Sequence, residues 1–241
     1  MGVKPPADAA ATAPTTAPAS SCVLVLGGSF DPVHEGHIAL AGLFANLLRP
    51  DQLRIIPTGN PWQKSGLVAS AEQRVEMLQL AFRQLETEAG LPLIVDKQEI
   101  ERAARRQITY TIDTLRALRA ELGEQTSIVF LIGADQLQNL HTWHQWQQLF
   151  ELAHLCAASR PGFRLDTTLL PHTVAQEFVR RAGTPEQIRT TAYGLTCLAS
   201  DLDVDISATQ IRAELKQGGP TTSLVPAKVL DYIQQQHIYT N

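Results

Sequence analysis

The chain has 241 residues, 44% of them hydrophobic and 18% charged, with a formal net charge of -4. This length and composition are typical of one soluble globular domain, and the negative charge argues against broad nonspecific binding to nucleic acid. No apolar stretch approaches the roughly 20 residues needed to span a bilayer, so we expect no membrane insertion.

The N-terminal segment and the cysteines indicate the cellular setting. Residues 1–21 are rich in Ala, Pro and Thr and have neither the apolar run of a secretory signal nor the arginines of a transit peptide. We predict a disordered tail over 1–21 and a single domain over 22–241. Cys22, Cys156 and Cys197 are far apart and form no C-x-x-C pair, which favours buried thiols in a reducing compartment and a cytoplasmic location.

Predicted strands and helices alternate along the chain. The apolar run 23–26 predicts a first strand, and apolar residues at helical spacing predict a helix that begins near Gly36. The next predicted elements are, in order, a strand at 53–56, a helix at 71–85, a strand at 93–95, a helix from about 111, a strand at 127–132 and a strand or helix at 152–158. This alternation predicts βαβ units in a mostly parallel sheet, with the ligand beyond the carboxyl ends of the strands.

Two stretches of the chain are harder to assign. A polar, arginine-bearing connection joins the strand at 93–95 to the helix at 111, and residues 161–200 show only one clear helical pattern, near 174–181. Residues 161–200 are compatible with a subdomain or with an insertion.

The segment 27–37 is the most informative motif, with the sequence G-G-S-F-D-P-V-H-E-G-H directly after the first predicted strand. Gly27 and Gly28 would let the backbone turn sharply, and His34 and His37 would lie at the N-terminus of the following helix. A helix N-terminus attracts anions, so the pattern predicts a phosphate site. The alternative is a glycine-rich turn with two solvent-facing histidines.

A second motif, I-S-A-T-Q-I-R, spans 206–212. Ser207 and Gln210 have the spacing of a capping box, which predicts a helix start and is enough to account for both residues. It does not account for Arg212, about one turn inside that helix, where a cation gains nothing from the helix dipole. Arg212 there would help to bind a polyphosphate that meets the same N–H groups.

Other nucleotide and metal signatures are absent from the sequence. It contains no G-x-x-x-x-G-K-S/T loop and no G-x-G-x-x-G after a strand, which argues against a P-loop NTPase and a standard dinucleotide-binding oxidoreductase. His34 and His37 are three residues apart, unlike the histidines of H-E-x-x-H. A metal held by both histidines stays open as a minor alternative.

Taken together, the two motifs resemble the G-G-S/T-F-D-P-x-H-x-G-H and I-S-A/S/T-T-x-x-R signatures of the nucleotidyltransferase superfamily. The resemblance implies a Rossmann-like, doubly wound α/β sheet with helices on both faces and a small C-terminal helical part. Within the superfamily, segments 109–115, 131–135 and 141–146 resemble those of the bacterial nicotinate-nucleotide adenylyltransferases.

This resemblance implies that the phosphate of nicotinate mononucleotide attacks the α-phosphorus of ATP and releases pyrophosphate, a step of NAD biosynthesis. No covalent enzyme intermediate is needed, so catalysis would depend on positioning and charge stabilisation. The substrates would be ATP and nicotinate mononucleotide, with Mg²⁺ held by phosphate oxygens and few protein ligands.

The resemblance also assigns roles to residues. His34, His37 and Arg212 would be catalytic, with His37 the better candidate for contact with the α-phosphate. The residues expected to bind ATP are Gly27, Gly28, Ser29, Phe30, His34, His37, Lys64, Gly133, Asp135, Ser207 and Arg212. Asp135 would accept hydrogen bonds from the ribose, although a helix N-cap also explains an aspartate there.

For nicotinate mononucleotide, the resemblance implies contacts with Thr111, Trp143 and His144. Trp143 would stack on the pyridine ring, and backbone N–H groups near Thr111 and His144 would receive the carboxylate. A half-buried core aromatic is the alternative for Trp143.

One loop departs from the family pattern. Residues 61–64 read P-W-Q-K, where many relatives have P-P-H followed by a basic residue, so the contribution of that histidine would fall to Gln63 or Lys64.

Two other functions also stay open at this point. They are another adenylyltransferase, with nicotinamide mononucleotide or phosphopantetheine as acceptor, and a module that binds ATP without turnover.

Overall fold

A computed structural model describes residues 21–59, 67–158, 170–199, 206–217, 219, 221 and 223–240, with the backbone alone at 134 and 135. Its strands form one six-stranded sheet. They are β1 (Ser21–Gly28), β2 (Gln52–Pro57), β3 (Leu93–Val95), β4 (Thr126–Gly133), β5 (His154–Ala158) and β6 (Thr196–Ala199). The helices are α1 (Glu35–Leu48), α2 (Ala71–Ala89), α3 (Gln98–Ala104), α4 (Thr111–Leu122), α5 (Ala134–Gln138), α6 (His172–Arg180), α7 (Pro185–Thr190), α8 (Ala208–Lys216) and α9 (Ala227–Gln235), and 3₁₀ turns span Leu140–Thr142 and Trp146–Glu151.

The sheet is wound in both directions from its centre. The strand order is β3-β2-β1-β4-β5-β6, and every adjacent pair is parallel. The chain moves outward from β1 to β3 and then returns to β4, so the order reverses between β1 and β4. In sheets of this kind ligands bind beyond the carboxyl ends of the strands at that reversal. Gly28 and Gly133 end the two strands concerned.

Two apolar cores cover the two faces of the sheet, as the expected fold class requires. Leu24 and Leu26 of β1 pack in one core with residues of α1, α2, α8 and α9. Val23 and Val25 point to the other, which includes residues of α4 and α6. Successive strand residues face opposite ways, so both faces of a central strand must be apolar. The Rossmann-like α/β expectation is therefore confirmed.

Several elements differ from the sequence-based expectation. The polar connection before residue 111 contains α3, which buries no residue and so shows no apolar stripe. The region 161–200 holds α7 and β6 besides the expected helix, and β6 extends the sheet beside β5. The segment at 152–158 is a strand, and β1 begins at Ser21, one residue inside the predicted tail. The remaining tail residues, 1–20, lie outside the described part.

The thiols are free, as expected. Cys22 and Cys156 are buried and Cys197 is partly buried. Burial raises the pKa of all three thiols, which keeps them protonated and unreactive.

Within the described ranges, no helix combines the length and the apolar character needed to cross a membrane.

Candidate active site

The turn after β1, residues 28–37, is here called the histidine turn. Its bend is made by Phe30, with a φ of 49°, and by the Asp31–Pro32 peptide bond, which is cis. Gly27 and Gly28 belong to the extended strand and have no positive φ, so the expectation that they make the turn is wrong. Space is tight at both positions instead: a Cβ would lie 3.3 Å from the Phe130 ring at Gly27 and 3.0 Å from the Phe30 ring at Gly28.

The two histidines lie together at the start of α1. Their ring centroids are 3.7 Å apart, and the Phe30 ring meets the His37 ring edge-on at 4.9 Å. The backbone N–H of His34 donates to His37 Nδ1 at 3.2 Å. Because Nδ1 accepts this bond, the proton of the neutral His37 ring lies on Nε2, which is thereby set as a donor.

The α1 N-terminus is less open to an anion than the sequence indicates. The N–H of Glu35, the first residue of α1, donates to the Leu224 carbonyl at 3.0 Å, so one of the expected N–H groups is already satisfied. Burial raises the pKa of the Glu35 carboxyl, which favours its neutral form.

Arg74 of α2 supports the histidine turn from inside. It is the largest fully buried side chain in the described part of the chain, and its guanidinium donates to the Ser29 carbonyl at 2.9 Å. Burial lowers the pKa of Arg74, and the nearby Asp31 carboxylate opposes that shift. Sequence analysis missed Arg74 because it lies inside an ordinary amphipathic helix, where an arginine is expected on the solvent side.

The motif at 206–212 lies against the histidine turn. The guanidinium of Arg212 donates to the Asp31 carbonyl at 2.7 Å, although the two residues are 181 positions apart. Ser207 caps α8 as expected, since its Oγ accepts the N–H of Gln210 at 3.2 Å. The expected capping box is incomplete, because the Gln210 side chain instead donates to Glu214.

The end of β4 contributes backbone to the same edge of the sheet. Gly133 is the N-cap of α5, which begins at Ala134. Asp135 is therefore inside the helix, and the alternative that it is the N-cap is wrong. The side chain of Asp135, like the whole of Lys64 and Gln63, lies outside the described residues.

A cavity, here called the α4 pocket, opens where the loop before α4 meets the 3₁₀ turn at 140–142. Its volume is about 540 Å³, and its lining includes Arg106, Ile108, Tyr110, Thr142 and His144. The Tyr110 and His144 rings stack with centroids 4.4 Å apart. Sequence analysis assigned His144 to this region but missed Tyr110 and Arg106.

Arg106 is held in a defined backbone conformation at the pocket. Its φ is 59°, in the left-handed region that non-glycine residues seldom adopt. The turn after α3 fixes it there, since the N–H of Arg106 donates to Ala103 and the N–H of Gln107 to Arg102. This arrangement presents an exposed cation beside the stacked aromatic pair.

Trp143 is a partly buried residue that packs on the second core. It meets Phe130 edge-on at 6.3 Å, and it is not among the residues that line the α4 pocket, although both of its neighbours are. Its indole Nε1 is buried and has no hydrogen-bond partner among the described residues. Trp143 is therefore a packing residue in this structure. Its unsatisfied N–H would favour a ligand that places a hydrogen-bond acceptor beside it.

The N-terminus of α4 begins beside the α4 pocket, since its N-cap, Tyr110, lines the pocket whereas Thr111 does not. Thr111 is the first residue of α4, and the N-cap, Tyr110, gives no side-chain cap bond. The first N–H groups of an uncapped helix are ready donors for a carboxylate or phosphate.

The donors grouped at these sites are imidazole, guanidinium, hydroxyl and N–H groups. No group of three or more His, Cys, Asp or Glu residues that could hold a metal ion occurs among the described residues. Such a donor set suits the oxygen atoms of an anionic ligand better than it suits a bare cation.

Known proteins resemble this chain over most of its length. A family profile described as cytidylyltransferase-like matches residues 25–214. A protein of Herminiimonas arsenicoxydans described as a probable nicotinate-nucleotide adenylyltransferase is 59% identical over 218 residues, which cover 90% of this chain and 96% of that protein. A protein of Chromobacterium violaceum with the same description is 43% identical over 216 residues, covering 89% and 97%.

Solved structures agree on the fold. The Plasmodium falciparum nicotinic acid mononucleotide adenylyltransferase complexed with NaAD matches with a TM-score of 0.69 and 16% identity, covering 91% of this chain and 97% of that one. At this identity the match supports the Rossmann-like fold alone. Together with the family profile, the two relatives show that this chain belongs to the nicotinate-nucleotide adenylyltransferase family of nucleotidyltransferases.

Proposed function

We propose that this protein transfers the adenylyl group of ATP to nicotinate mononucleotide, giving nicotinate adenine dinucleotide and pyrophosphate in NAD biosynthesis. Family membership supports the reaction. One contact carries the assignment of the site: Arg212 donates to the Asp31 carbonyl at 2.7 Å, which holds the arginine beside the turn that carries His34 and His37. Guanidinium and imidazole donors grouped in this way suit a triphosphate.

In the proposed reaction, a phosphate oxygen of the mononucleotide forms a bond to the α-phosphorus of ATP. The bond from that phosphorus to the oxygen bridging to the β-phosphate breaks, and its electron pair leaves with pyrophosphate. His37 donates from Nε2 to an α-phosphate oxygen, where negative charge increases in the transition state. His34 contacts the same phosphate group.

The leaving pyrophosphate is held by Arg212 and Ser207. The Ser207 Oγ accepts the capping bond from Gln210, so its hydroxyl hydrogen stays available to a phosphate oxygen. The remaining ATP contacts proposed here come from the family resemblance. They involve the backbone of Gly27, Gly28, Ser29, Phe30 and Gly133, the ribose contact of Asp135, and Lys64 on the far side of the triphosphate.

Mg²⁺ enters this proposal as part of the substrate MgATP. The grouping of donors around the histidine turn fits phosphate oxygens, so the ion would be coordinated by the triphosphate and by water, with few protein ligands. Bound in this way, Mg²⁺ neutralises charge on the phosphates.

The acceptor occupies the α4 pocket in this proposal. The uncapped N–H groups at Thr111 and the backbone at His144 receive the nicotinate carboxylate, and Arg106 supplies a positive charge at the pocket wall. In this proposal Trp143, which lies between the lining residues Thr142 and His144 but does not itself line the pocket, turns toward the pocket to stack on the pyridine ring. We place the reaction in the cytoplasm, since three free thiols suit a reducing compartment.

The test is a comparison of acceptors. Purified protein would be incubated with MgATP and, separately, with nicotinate mononucleotide, nicotinamide mononucleotide and phosphopantetheine, and pyrophosphate release would be measured along with the dinucleotide product. We expect the highest kcat/KM with nicotinate mononucleotide. His37→Ala protein prepared in the same way controls for contaminating enzymes.

Two results would contradict the proposal. Faster turnover with phosphopantetheine or nicotinamide mononucleotide would show that this compound, and not nicotinate mononucleotide, is the acceptor. Pyrophosphate release with none of the three, together with calorimetric binding of ATP, would make the protein a nucleotide-binding module.

A further inference from the structure

Asp31 is a buried carboxylate at the centre of the histidine turn, and it accepts three hydrogen bonds. Its Oδ1 accepts the Tyr239 hydroxyl at 2.6 Å and the Ala69 N–H at 3.0 Å, and its Oδ2 accepts the Val68 N–H at 2.9 Å. Only 3% of the residue is exposed. The carboxylate therefore ties the turn to the segment before α2 and to the C-terminal end of the chain.

The main chain of the same residue holds the arginine of the second motif. The Asp31 carbonyl accepts the Arg212 guanidinium at 2.7 Å, and a second nitrogen of Arg212 lies 3.3 Å from the Thr209 hydroxyl. Arg212 is thus bound to Asp31 through a carbonyl oxygen and not through the carboxylate. A guanidinium has five N–H donors, so the contacts with these two neutral oxygens leave donors for a phosphate.

Arg212 would gain more from the carboxylate than from the carbonyl, because charge-assisted bonds are about twice as strong as neutral ones. Tyr239 occupies the Oδ1 position with a neutral donor. Both Arg212 and Arg74 lie near enough to the Tyr239 phenol to act on it electrostatically. The phenol therefore occupies an acceptor position of the carboxylate that a charged donor would otherwise be free to use.

The C-terminal backbone is shaped to deliver this phenol. Tyr239 is buried and has a φ of 64°, a left-handed conformation that is an outlier for a bulky residue and occurs only where the surroundings enforce it. The bond from the Ile238 N–H to the Ile233 carbonyl, 3.0 Å long, folds the chain back after α9.

We propose that Tyr239 is a positioning residue for adenylyl transfer: its hydroxyl holds the Asp31 carboxylate, which keeps the Arg212 guanidinium on the Asp31 carbonyl and directed to the phosphates of ATP. The inference rests on the proposed function. It gives Tyr239, which belongs to neither sequence motif, a part in catalysis.

The phenol is suited to this task at every working pH. Burial, and then the hydrogen bond and the negative charge of Asp31, raise the pKa of Tyr239 well above its usual range. The hydroxyl accordingly stays protonated and continues to donate.

The test is Tyr239→Phe, which removes only the hydroxyl. We expect kcat for pyrophosphate release to fall about tenfold, with a smaller change in KM for nicotinate mononucleotide, because a misplaced arginine weakens transition-state stabilisation more than acceptor binding. Tyr232→Phe, the same change on the partly buried α9, is the matched control and should retain wild-type kcat. Thermal melting, recorded for both, sets an assay temperature at which each variant is folded.

A double-mutant cycle separates positioning from general destabilisation. If Tyr239 acts through Arg212, Tyr239→Phe should cost about tenfold in the wild-type background but less than about twofold in Arg212→Ala. Equal losses in the two backgrounds, or wild-type kcat for folded Tyr239→Phe, would overturn the inference.

Asp31→Asn provides a second route to the same answer. The amide keeps the size of the side chain but faces three donors with one acceptor oxygen. We expect a similar loss of kcat that does not add to that of Tyr239→Phe, and full additivity of the two would count against the inference. Failure of the wild-type protein to release pyrophosphate would instead remove the proposed function itself.

Discussion

The histidine turn and the α4 pocket differ in how the structure holds their functional groups. The turn is fixed by buried and partly buried polar contacts from distant parts of the chain, namely those of Arg74, Arg212 and Tyr239. The α4 pocket is formed by a loop and a 3₁₀ turn, with exposed Arg106 and His144 in its wall.

We therefore expect the turn to stabilise the transition state and the pocket to bind the acceptor. Groups that stabilise a transition state must be held in place before the substrate arrives, and buried hydrogen bonds do this. A pocket that binds the ground state can adjust its exposed side chains to the ligand. Changes in the turn should therefore lower kcat, whereas changes in the pocket should raise KM for the acceptor.

The largest effect is expected for His37→Ala. Loss of the Nε2 donor should lower kcat by at least about a hundredfold, with little change in the melting temperature, because the group acts mainly on the transition state. Pyrophosphate release under saturating substrates measures it. His172→Ala, on the exposed start of α6, is the control, and wild-type turnover of His37→Ala would remove that residue from the mechanism.

On the acceptor side, Trp143→Ala should raise KM for nicotinate mononucleotide by roughly tenfold and change KM for ATP much less, since an aromatic face is lost from the pyridine site. Steady-state kinetics with each substrate varied in turn measures the split. Trp146→Ala is a matched control, because Trp146 is also partly buried and meets Phe150 edge-on. Equal rises of both KM values would favour a packing role for Trp143.

Arg106→Ala should have a smaller effect, about threefold to fivefold on KM for nicotinate mononucleotide, since the cation is exposed and solvent screens its charge. KM for nicotinamide mononucleotide, which has a neutral carboxamide in place of the carboxylate, should stay the same. Arg105→Ala, which removes an exposed neighbour outside the pocket lining, controls for net charge. A rise that is equal for the two analogues would show that Arg106 does not sense the carboxylate.

The smallest effect on activity concerns His154, which lies at the start of β5 and in neither region. Its Nε2 donates to the Thr191 carbonyl at 2.8 Å and its Nδ1 accepts the Leu195 N–H at 3.1 Å. Burial lowers its pKa to about 4, whereas in the unfolded chain it titrates near 6.5.

The unfolded state therefore binds more protons between these values, and the free energy of unfolding should fall by up to about 3 kcal/mol as the pH drops through that window. Urea titrations at several pH values measure this. His154→Gln should weaken the dependence and leave kcat at neutral pH unchanged. An identical pH dependence in the variant would contradict the assignment.

Much of the fold could be predicted from local patterns. The segments around Val23, Leu93 and Ile128 show apolar runs, and α1, α2 and α4 show apolar residues at helical spacing. Each of these elements packs on an apolar core, although β3 is only partly buried there. The elements that were missed, α3, α7 and β6, are short, and α3 buries nothing, so hydrophobic periodicity has no basis there.

The sequence by itself determined which residues we propose for the phosphate side. The histidines, Ser207 and Arg212 are local motifs, since a helix start and its donors lie within a few residues of one another. Only the tertiary structure decided what holds them. Arg74, Asp31 and Tyr239 come together from three distant segments, and Tyr110 and Arg106 form the pocket wall with a turn more than 30 residues away. Such contacts depend on the winding of the parallel sheet, which gathers the loops at the carboxyl ends of the strands whatever their separation along the chain.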